Sequence, residues 1–283
     1  MSEGKLDAGL FIVATPIGNL RDITLRAIDT LKGVDAIACE DTRVTRRLLA
    51  ALEIESTLLT YHEHNAAKMR PRLIDRMRNG ASIALVSDAG TPLISDPGYK
   101  LVRACHEADI AVTALPGPSA VMTGLVLSGL PTDRFQFCGF LPSRRGARRA
   151  VLETVAATDA TLIFFESARR LPDTLADMAD LFGARDAAVT RELTKLYEEV
   201  RHGDLVTLAA LYQDNPPKGE VVIVVGSPGK SDGAVDIDAM LRGALAEMSV
   251  RDAAATVATA SGAPRRDVYQ RALAIAKDGD DTA

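Results

Sequence analysis

Cysteine is scarce in this chain of 283 residues, and the three present exclude more than they suggest. Cys39, Cys105 and Cys138 are far apart, odd in number and never paired as C-x-x-C, which argues against a disulfide framework and a cysteine-built zinc site. No apolar stretch reaches the ~18 residues a membrane span needs; Val221–Val225 suffices only for a buried strand. The segment MSEGKLDAG has no apolar signal core, so a cytoplasmic protein is expected. Nucleotide fingerprints are missing too. No two of the 21 glycines are separated by a single residue, so there is no G-x-G. G-x-x-x-x-G-K-[ST] and H-E-x-x-H are also absent. These gaps set aside Rossmann dinucleotide enzymes, P-loop NTPases and zincins.

What remains is an ordinary globular composition, 47% hydrophobic and 25% charged, long enough for about two domains. The net charge of −5 discourages non-specific coating of nucleic acid. The average conceals 25 arginines against 8 lysines, clustered at Arg43, Arg46 and Arg47, at Arg144, Arg145, Arg148 and Arg149, at Arg169 and Arg170, and at Arg265 and Arg266. Guanidinium forks suit phosphate, so the clusters at 43–47 and 144–149 are the expected RNA contacts. Solvated helix faces are the alternative.

Short apolar runs alternate with segments of helical period. Leu10–Ala14, Ala36–Cys39, Leu58–Thr60, Ile83–Val86 and Ala111–Leu115 read as buried strands, with helices at 23–31, 44–52, 66–77 and 99–106 between them. Such alternation implies right-handed crossovers and a mostly parallel sheet. After the hinge-like LPGPS at 115–119 a second series begins. Its strands are expected at 135–139, 161–165, 187–190, 196–200 and 221–225, and its helices at 144–157, 171–182 and 204–212. The close pair at 187–200 looks antiparallel, so the second sheet is expected to be mixed. Helical segments at 236–247, 251–260 and 265–277 form a tail too short for a sizeable core of its own. The expected domains are 1–117, 118–229 and a helical appendage, 230–283.

Three loops stand out. ATPIGN follows the first strand, CEDTR the second, and SDAGTPLISDPG the fourth. Ligands of open α/β sheets bind beyond the carboxyl ends of strands, where all three lie. The last is twelve residues of rigid, close-approach loop, more than a connection requires. His62, Glu63 and His64 in YHEHN make weak metal evidence; a helix entry capped by Asn65 explains them better, and no metal is expected.

ATPIGNLRD, CEDTR, YHEHN, SDAGTPLISDPG, ALPGPSA, IFFES and RELTKLYEE, in this order and spacing, resemble the tetrapyrrole methylase superfamily. Within it they resemble the small-subunit ribosomal RNA 2′-O-ribose methyltransferases that modify a cytidine in the decoding region of 16S rRNA. The resemblance runs from about Leu10 to Val225 and continues more weakly through the tail. It implies two α/β domains of the class III methyltransferase type with a small helical C-terminal appendage, S-adenosylmethionine in the cleft, 16S rRNA within the small subunit as partner, no membrane association, and a homodimer. By the family's motifs Ser87, Asp88, Ala89 and Gly90 would line the cofactor, followed by Ile94 and Ser95. Ser119, Ala120, Phe165, Leu193 and Thr194 would complete its slot, with Pro16 and Gly18 as floor.

An activated sulfonium methyl asks mainly for in-line placement, and a modest base would help remove the ribose proton. Asp41, Glu40 and His62 are the candidate bases in the first domain, with Glu166 a contender in the second. Alternatively Glu40 and Asp41 pair with Arg43 and cap the next helix. Where the family tends to read E-S-P-H-R-L, this chain reads Glu166-Ser-Ala-Arg-Arg-Leu171, so any histidine role there is absent or taken by Arg169. The alternatives are a precorrin-type tetrapyrrole C-methyltransferase, disfavoured by the arginine clusters, and a non-catalytic ribosome-assembly factor, disfavoured by the intact 87–98 loop.

Overall fold

The computed structural model describes residues 6–215, 217–228, 237–246, 248–261 and 263–280. The chain divides into two compact units, Met1–Ser227 and Pro228–Ala283. The first contains two five-stranded sheets.

In the first sheet β1 (Gly9–Val13), β2 (Ala36–Cys39), β3 (Leu58–Thr60), β4 (Ser82–Val86) and β5 (Val112–Leu115) run parallel in the order β3-β2-β4-β1-β5. β2 and β4 are buried at every position, as near-continuous apolar runs covered on both faces must be. One face packs against α1 (Leu25–Gly33) and α2 (Thr42–Ala51) through Ala27, Leu31 and Leu49. The other packs against α3 (Ala66–Arg78) and α4 (Tyr99–Glu107) through Leu73, Ile74, Met77, Leu101 and Cys105. β1 and β4 are neighbours, yet their connections leave in opposite directions, β1 toward β2 and β4 toward β5. The helices they lead to, α1 and α4, lie on opposite faces of the sheet, the arrangement of a topological switch point.

The second sheet comprises β6 (Phe135–Phe140), β7 (Thr161–Ser167), β8 (Asp186–Arg191), β9 (Glu199–Asp204) and β10 (Glu220–Val225) in the order β6-β7-β10-β8-β9. β6 and β7 are parallel and the other pairs antiparallel, the mixed sheet expected. α6 (Arg145–Val155), α7 (Leu171–Phe182) and α8 (Leu205–Asp214) cover one face. α5 (Ala120–Leu127) lies on the other, with Gly124 against Val222. α5 has no polar stripe, so period alone does not reveal it. β9 starts three residues later than expected: Leu196, 88% exposed, and Tyr197 belong to the turn before it. β9 is an edge strand, and it carries charge (Arg201, and Glu199 paired with Arg191) where an apolar pattern was sought.

The arginines at 144–149 are not a free surface. Asp177 of α7, 1% exposed, accepts from Arg148 Nε at 2.8 Å and Nη2 at 2.6 Å, and pairs with Arg145 at 3.0 Å and Arg149 at 3.4 Å. Arg149 also reaches Asp180 at 2.5 Å. The cluster clamps α6 onto α7, and only Arg144 stands exposed without an ion pair among the described residues.

The second unit contains α9 (Ile237–Leu245), α10 (Val250–Ser261) and α11 (Arg265–Asp280) around Leu241, Ala254, Val257, Val268 and Ala272. Ser249 caps α10: its hydroxyl accepts from the Asp252 N–H at 3.2 Å and donates to the Asp252 carboxylate at 2.6 Å. The expected helix ends Asp236 and Glu247, and the boundary at 229/230, lie outside the described residues. Among the described residues no helix is long and apolar enough to cross a membrane.

Candidate functional site

The loop after β4 is held by hydrogen bonds of its own and from the loop after β1. Thr15, just past β1, exchanges both backbone hydrogen bonds with Gly90 at 2.9 Å, and its hydroxyl donates to the Ser87 carbonyl at 3.1 Å. The buried Ser87 hydroxyl turns beneath the loop toward the Ala89 and Gly90 carbonyls, at 3.2 and 3.3 Å. Gly90 has φ +78°, a conformation that favours glycine, and a Cβ there would press on Ile17 Cγ2 at 3.3 Å. Leu93 (φ 74°) and Ser95 (φ 68°) hold left-handed backbone without that licence. Such strain costs on the order of 1–3 kcal/mol per residue and persists where the surroundings enforce it.

A cavity of about 460 Å³ opens above this loop, within the range of small-molecule sites. Nine of the residues expected at the cofactor line it: Asp88, Ala89, Gly90, Ile94 and Ser95 from the loop, Ser119 and Ala120 at the start of α5, Phe165 near the end of β7, and Leu193. Ser87, Pro16, Gly18 and Thr194 do not. Ser87 supports the loop from below, and Pro16 adjoins Ile17, which does line the cavity. A Cβ on Gly18 would collide with Lys195 Cγ and approach the Leu193 carbonyl to 3.0 Å, so this glycine lets the two loops meet. Thr194 (φ 65°) donates its N–H to Glu198 at 2.6 Å, and its buried hydroxyl oxygen has no partner among the described residues.

The wall includes residues not singled out in the sequence. Phe140 and Phe165 meet edge to face at 5.5 Å, and Phe137 backs Phe165 at 4.8 Å. Gly219, Glu220, Val221 and Val222 line the cavity because β10 runs antiparallel to β7, pairing Glu220 with Ser167. Looking only beyond carboxyl strand ends misses the amino end of such a strand. Asp96 also lines the cavity, from the SDPG end of the same loop.

Carboxylates gather at the mouth. Asp96 is pushed up to about 6, first by burial, then by the charge of Glu40, with Asp88 adding and the Ser87 hydroxyl opposing. Asp41 goes the other way. It caps α2, accepting the Arg43 N–H at 2.8 Å, while the Arg43 guanidinium grips its oxygens at 2.6–3.2 Å. The hydrogen bonds to Arg43 hold its carboxyl at about 2. The Asp41 backbone N–H donates to Asp88 Oδ1 at 3.1 Å, tying the α2 entry to the cavity wall. Neither Glu40 nor Asp41 lines the cavity.

His62 does not line it either. It sits after β3, its N–H donating to Asn65 Oδ1 at 2.9 Å and its ring 6.0 Å from His64. Asn65 occupies the expected cap position of α3, but its side chain reaches back to His62 and Thr60 rather than into the helix. The group His62, Glu63 and His64 joins no metal-binding cluster among the described residues. Glu166 lines the cavity with both oxygens engaged: Oε1 accepts the Ser167 N–H at 2.8 Å, and Oε2 accepts the Thr174 hydroxyl at 2.8 Å and meets Arg170 at 3.1 Å. Arg170 continues to the Leu141 carbonyl at 2.6 Å, so the altered 168–170 segment serves as a brace, while Arg169 is exposed.

The profile of the Tetrapyrrole (Corrin/Porphyrin) Methylases matches residues 9–209, and that of the RsmI C-terminal HTH domain residues 231–276. Ribosomal RNA small subunit methyltransferase I of Erythrobacter litoralis is 52% identical over 275 residues, covering 97% of this chain and 98% of that protein. The protein of the same name from Mesorhizobium japonicum is 50% identical over 273 residues, covering 95% and 93%. Among solved structures, uroporphyrin-III-C-methyltransferase of Thermus thermophilus superposes with TM-score 0.55 at 20% identity, over 81% of this chain and 98% of that one. Diphthine synthase superposes with TM-score 0.58 at 17% identity, over 77% and 89%. At those identities the two structures speak to the fold alone.

Proposed function

The chain belongs to the tetrapyrrole methylase family, in the branch of the ribosomal RNA small subunit methyltransferase I proteins, and is a methyltransferase; on that premise we propose that it methylates the 2′-hydroxyl of a cytidine ribose in the decoding region of 16S rRNA, with S-adenosylmethionine as donor. The observation that carries the substrate is the identity of about half the positions with those relatives over nearly the whole of each chain, tail included.

The cavity's chemistry fits the donor. Ile17, Phe165, Leu193 and Val222 offer an apolar slot for an adenine, and the Asp88 and Asp96 carboxylates suit a cationic ligand. Bound there, S-adenosylmethionine supplies a methyl already activated on sulfur, so the protein's tasks are placement and proton removal.

Asp88 orients the ligand, itself fixed by the Asp41 N–H. Asp96 takes the ribose proton: it faces the cavity, and burial together with the charge of Glu40 keeps it basic, whereas Asp41 is too weak a base once gripped by Arg43. Glu40 and Asp41 are thus positioning residues.

Domains 1–117 and 118–229 each supply one sheet, with 230–283 as appendage. A second copy of the chain covers α5, whose Met122, Val126 and Leu127 are apolar and exposed, giving a homodimer. The reaction belongs to the cytoplasm, on assembled or partly assembled small subunits. The test offers labelled S-adenosylmethionine with either small subunits from cells lacking the gene or a uroporphyrinogen. Label in 16S rRNA alone is expected; label only in the tetrapyrrole, or in neither, overturns the reading.

A further inference from the structure

Two arginine-rich segments that look alike in sequence have opposite fates. Three of the four guanidiniums at 144–149 are ion-paired with Asp177 or Asp180. Those of α2 and its neighbour α3 are not. α2 carries Arg43, Arg46 and Arg47 and no acidic residue; α3 carries Lys68, Arg70, Arg72, Arg76 and Arg78 against Asp75 alone. That is +7 on two helices of a chain whose net charge is −5, leaving −12 elsewhere.

On α2 the three arginines lie at i, i+3 and i+4, opposite the buried Thr45 and Leu49. On α3 Lys68, Arg72 and Arg76 recur at i, i+4 and i+8, opposite Leu73, Ile74 and Met77. Like charges at these spacings weaken a helix, whereas a face serving only solubility interleaves signs. Arg46, Arg47, Lys68, Arg72 and Arg76 are exposed and form no ion pair among the described residues; Arg43, 82% exposed, pairs only with its cap Asp41.

Position completes the argument. α2 and α3 pack on opposite faces of the first sheet and bracket its edge strand β3. Because the sheet is parallel, both helices begin at the strand ends where the cavity opens, and the entry to α2 is bonded to Asp88 of the cavity wall. We propose that α2 and α3 together form the docking surface for RNA phosphodiester backbone, leading the target ribose to the cavity, and that the 144–149 cluster takes no part. This deepens the RNA reading above and rests on it.

The test is a full-length variant with Arg46→Gln, Arg47→Gln, Lys68→Gln and Arg72→Gln. Its binding to small subunits and to protein-free 16S rRNA is followed across a potassium chloride series. Each lost phosphate contact removes about 0.7–0.9 from the slope of log affinity on log salt, so a fall of about three units is expected on both targets. S-adenosylmethionine affinity and the unfolding midpoint should not change. If the fourfold variant folds poorly, the pairs Arg46→Gln/Arg47→Gln and Lys68→Gln/Arg72→Gln should each give about half the fall. An unchanged slope overturns the proposal, as does a comparable fall on Arg144→Gln. A fall with subunits but not with free RNA also overturns it, because the surface would then meet an acidic protein. These results leave RNA methylation by the unaltered protein intact; its failure to methylate or bind RNA removes the reading itself.

Discussion

Replacing Asp177 by alanine separates a structural arginine cluster from an RNA-binding one. The carboxylate is 1% exposed, and Arg148, which shares its burial, loses its counter-charge when Asp177 goes. Leaving one member of a buried ion pair alone costs about 3–5 kcal/mol. At about 2–4 °C per kcal/mol for a unit of this size, the thermal midpoint should fall by roughly 6–20 °C. Burial alone would raise this carboxyl, but the hydrogen bonds and charges of Arg148 and Arg145 outweigh it and hold it below its ordinary value. A lowered folded-state value means the stabilisation is complete above the ordinary carboxylate range and is lost as pH falls through the lowered one. Urea unfolding followed by circular dichroism at neutral pH and near pH 3 measures this. The gap between unaltered protein and variant should be full at neutrality and shrink in acid. A double variant, Asp177→Leu with Arg148→Met, should recover much of the loss, since apolar pairs replace buried ion pairs well. A loss below about 1 kcal/mol for Asp177→Ala would refute the clamp and return these arginines to the surface.

Asp96→Asn should stabilise the unliganded protein at pH 7.5 by on the order of 1–2 kcal/mol, discounted for its partial exposure. Because burial and Glu40 raise its folded value to about 6, the penalty grows as pH rises from about 4 and vanishes below it; equal stability at pH 7.5 would count against this. Methyl transfer by the same variant should fall further than donor affinity does, measured by calorimetry beside a turnover assay. Asp88→Ala should weaken S-adenosylmethionine binding more than Asp41→Ala, since only Asp88 lines the cavity; equal affinities would contradict that division. Truncation after Ser227, at the junction of the two compact units, should leave a folded protein that binds donor but methylates subunits poorly. Full activity would remove any docking role for the tail, and loss of folding would make it structural.

The alternation of apolar runs and helical periods was enough to read both sheets, because core strands such as Ile83–Val86 carry their burial in their composition. α5 escaped because a helix apolar on every side leaves no stripe. The start of β9 escaped because an edge strand is held by charge pairs rather than by an apolar pattern. The loops around Gly90 were legible through their glycines, prolines and strand-end position. The contribution of Gly219–Val222 was not, since it depends on the direction in which β10 enters the sheet. Nor could spacing distinguish a clamped arginine cluster from a free one: the partner that decides it, Asp177, stands 29 residues from Arg148.

The central claim is ribose methylation of small-subunit RNA, and one measurement tests it most directly. Small subunits from cells lacking the gene are treated with the purified protein and S-adenosylmethionine, and the 16S rRNA is digested and mapped by mass spectrometry. The account predicts one new 2′-O-methylcytidine within a decoding-region fragment, absent from the untreated control. A methyl group on a base, on another region of the RNA, or nowhere in it would contradict the account.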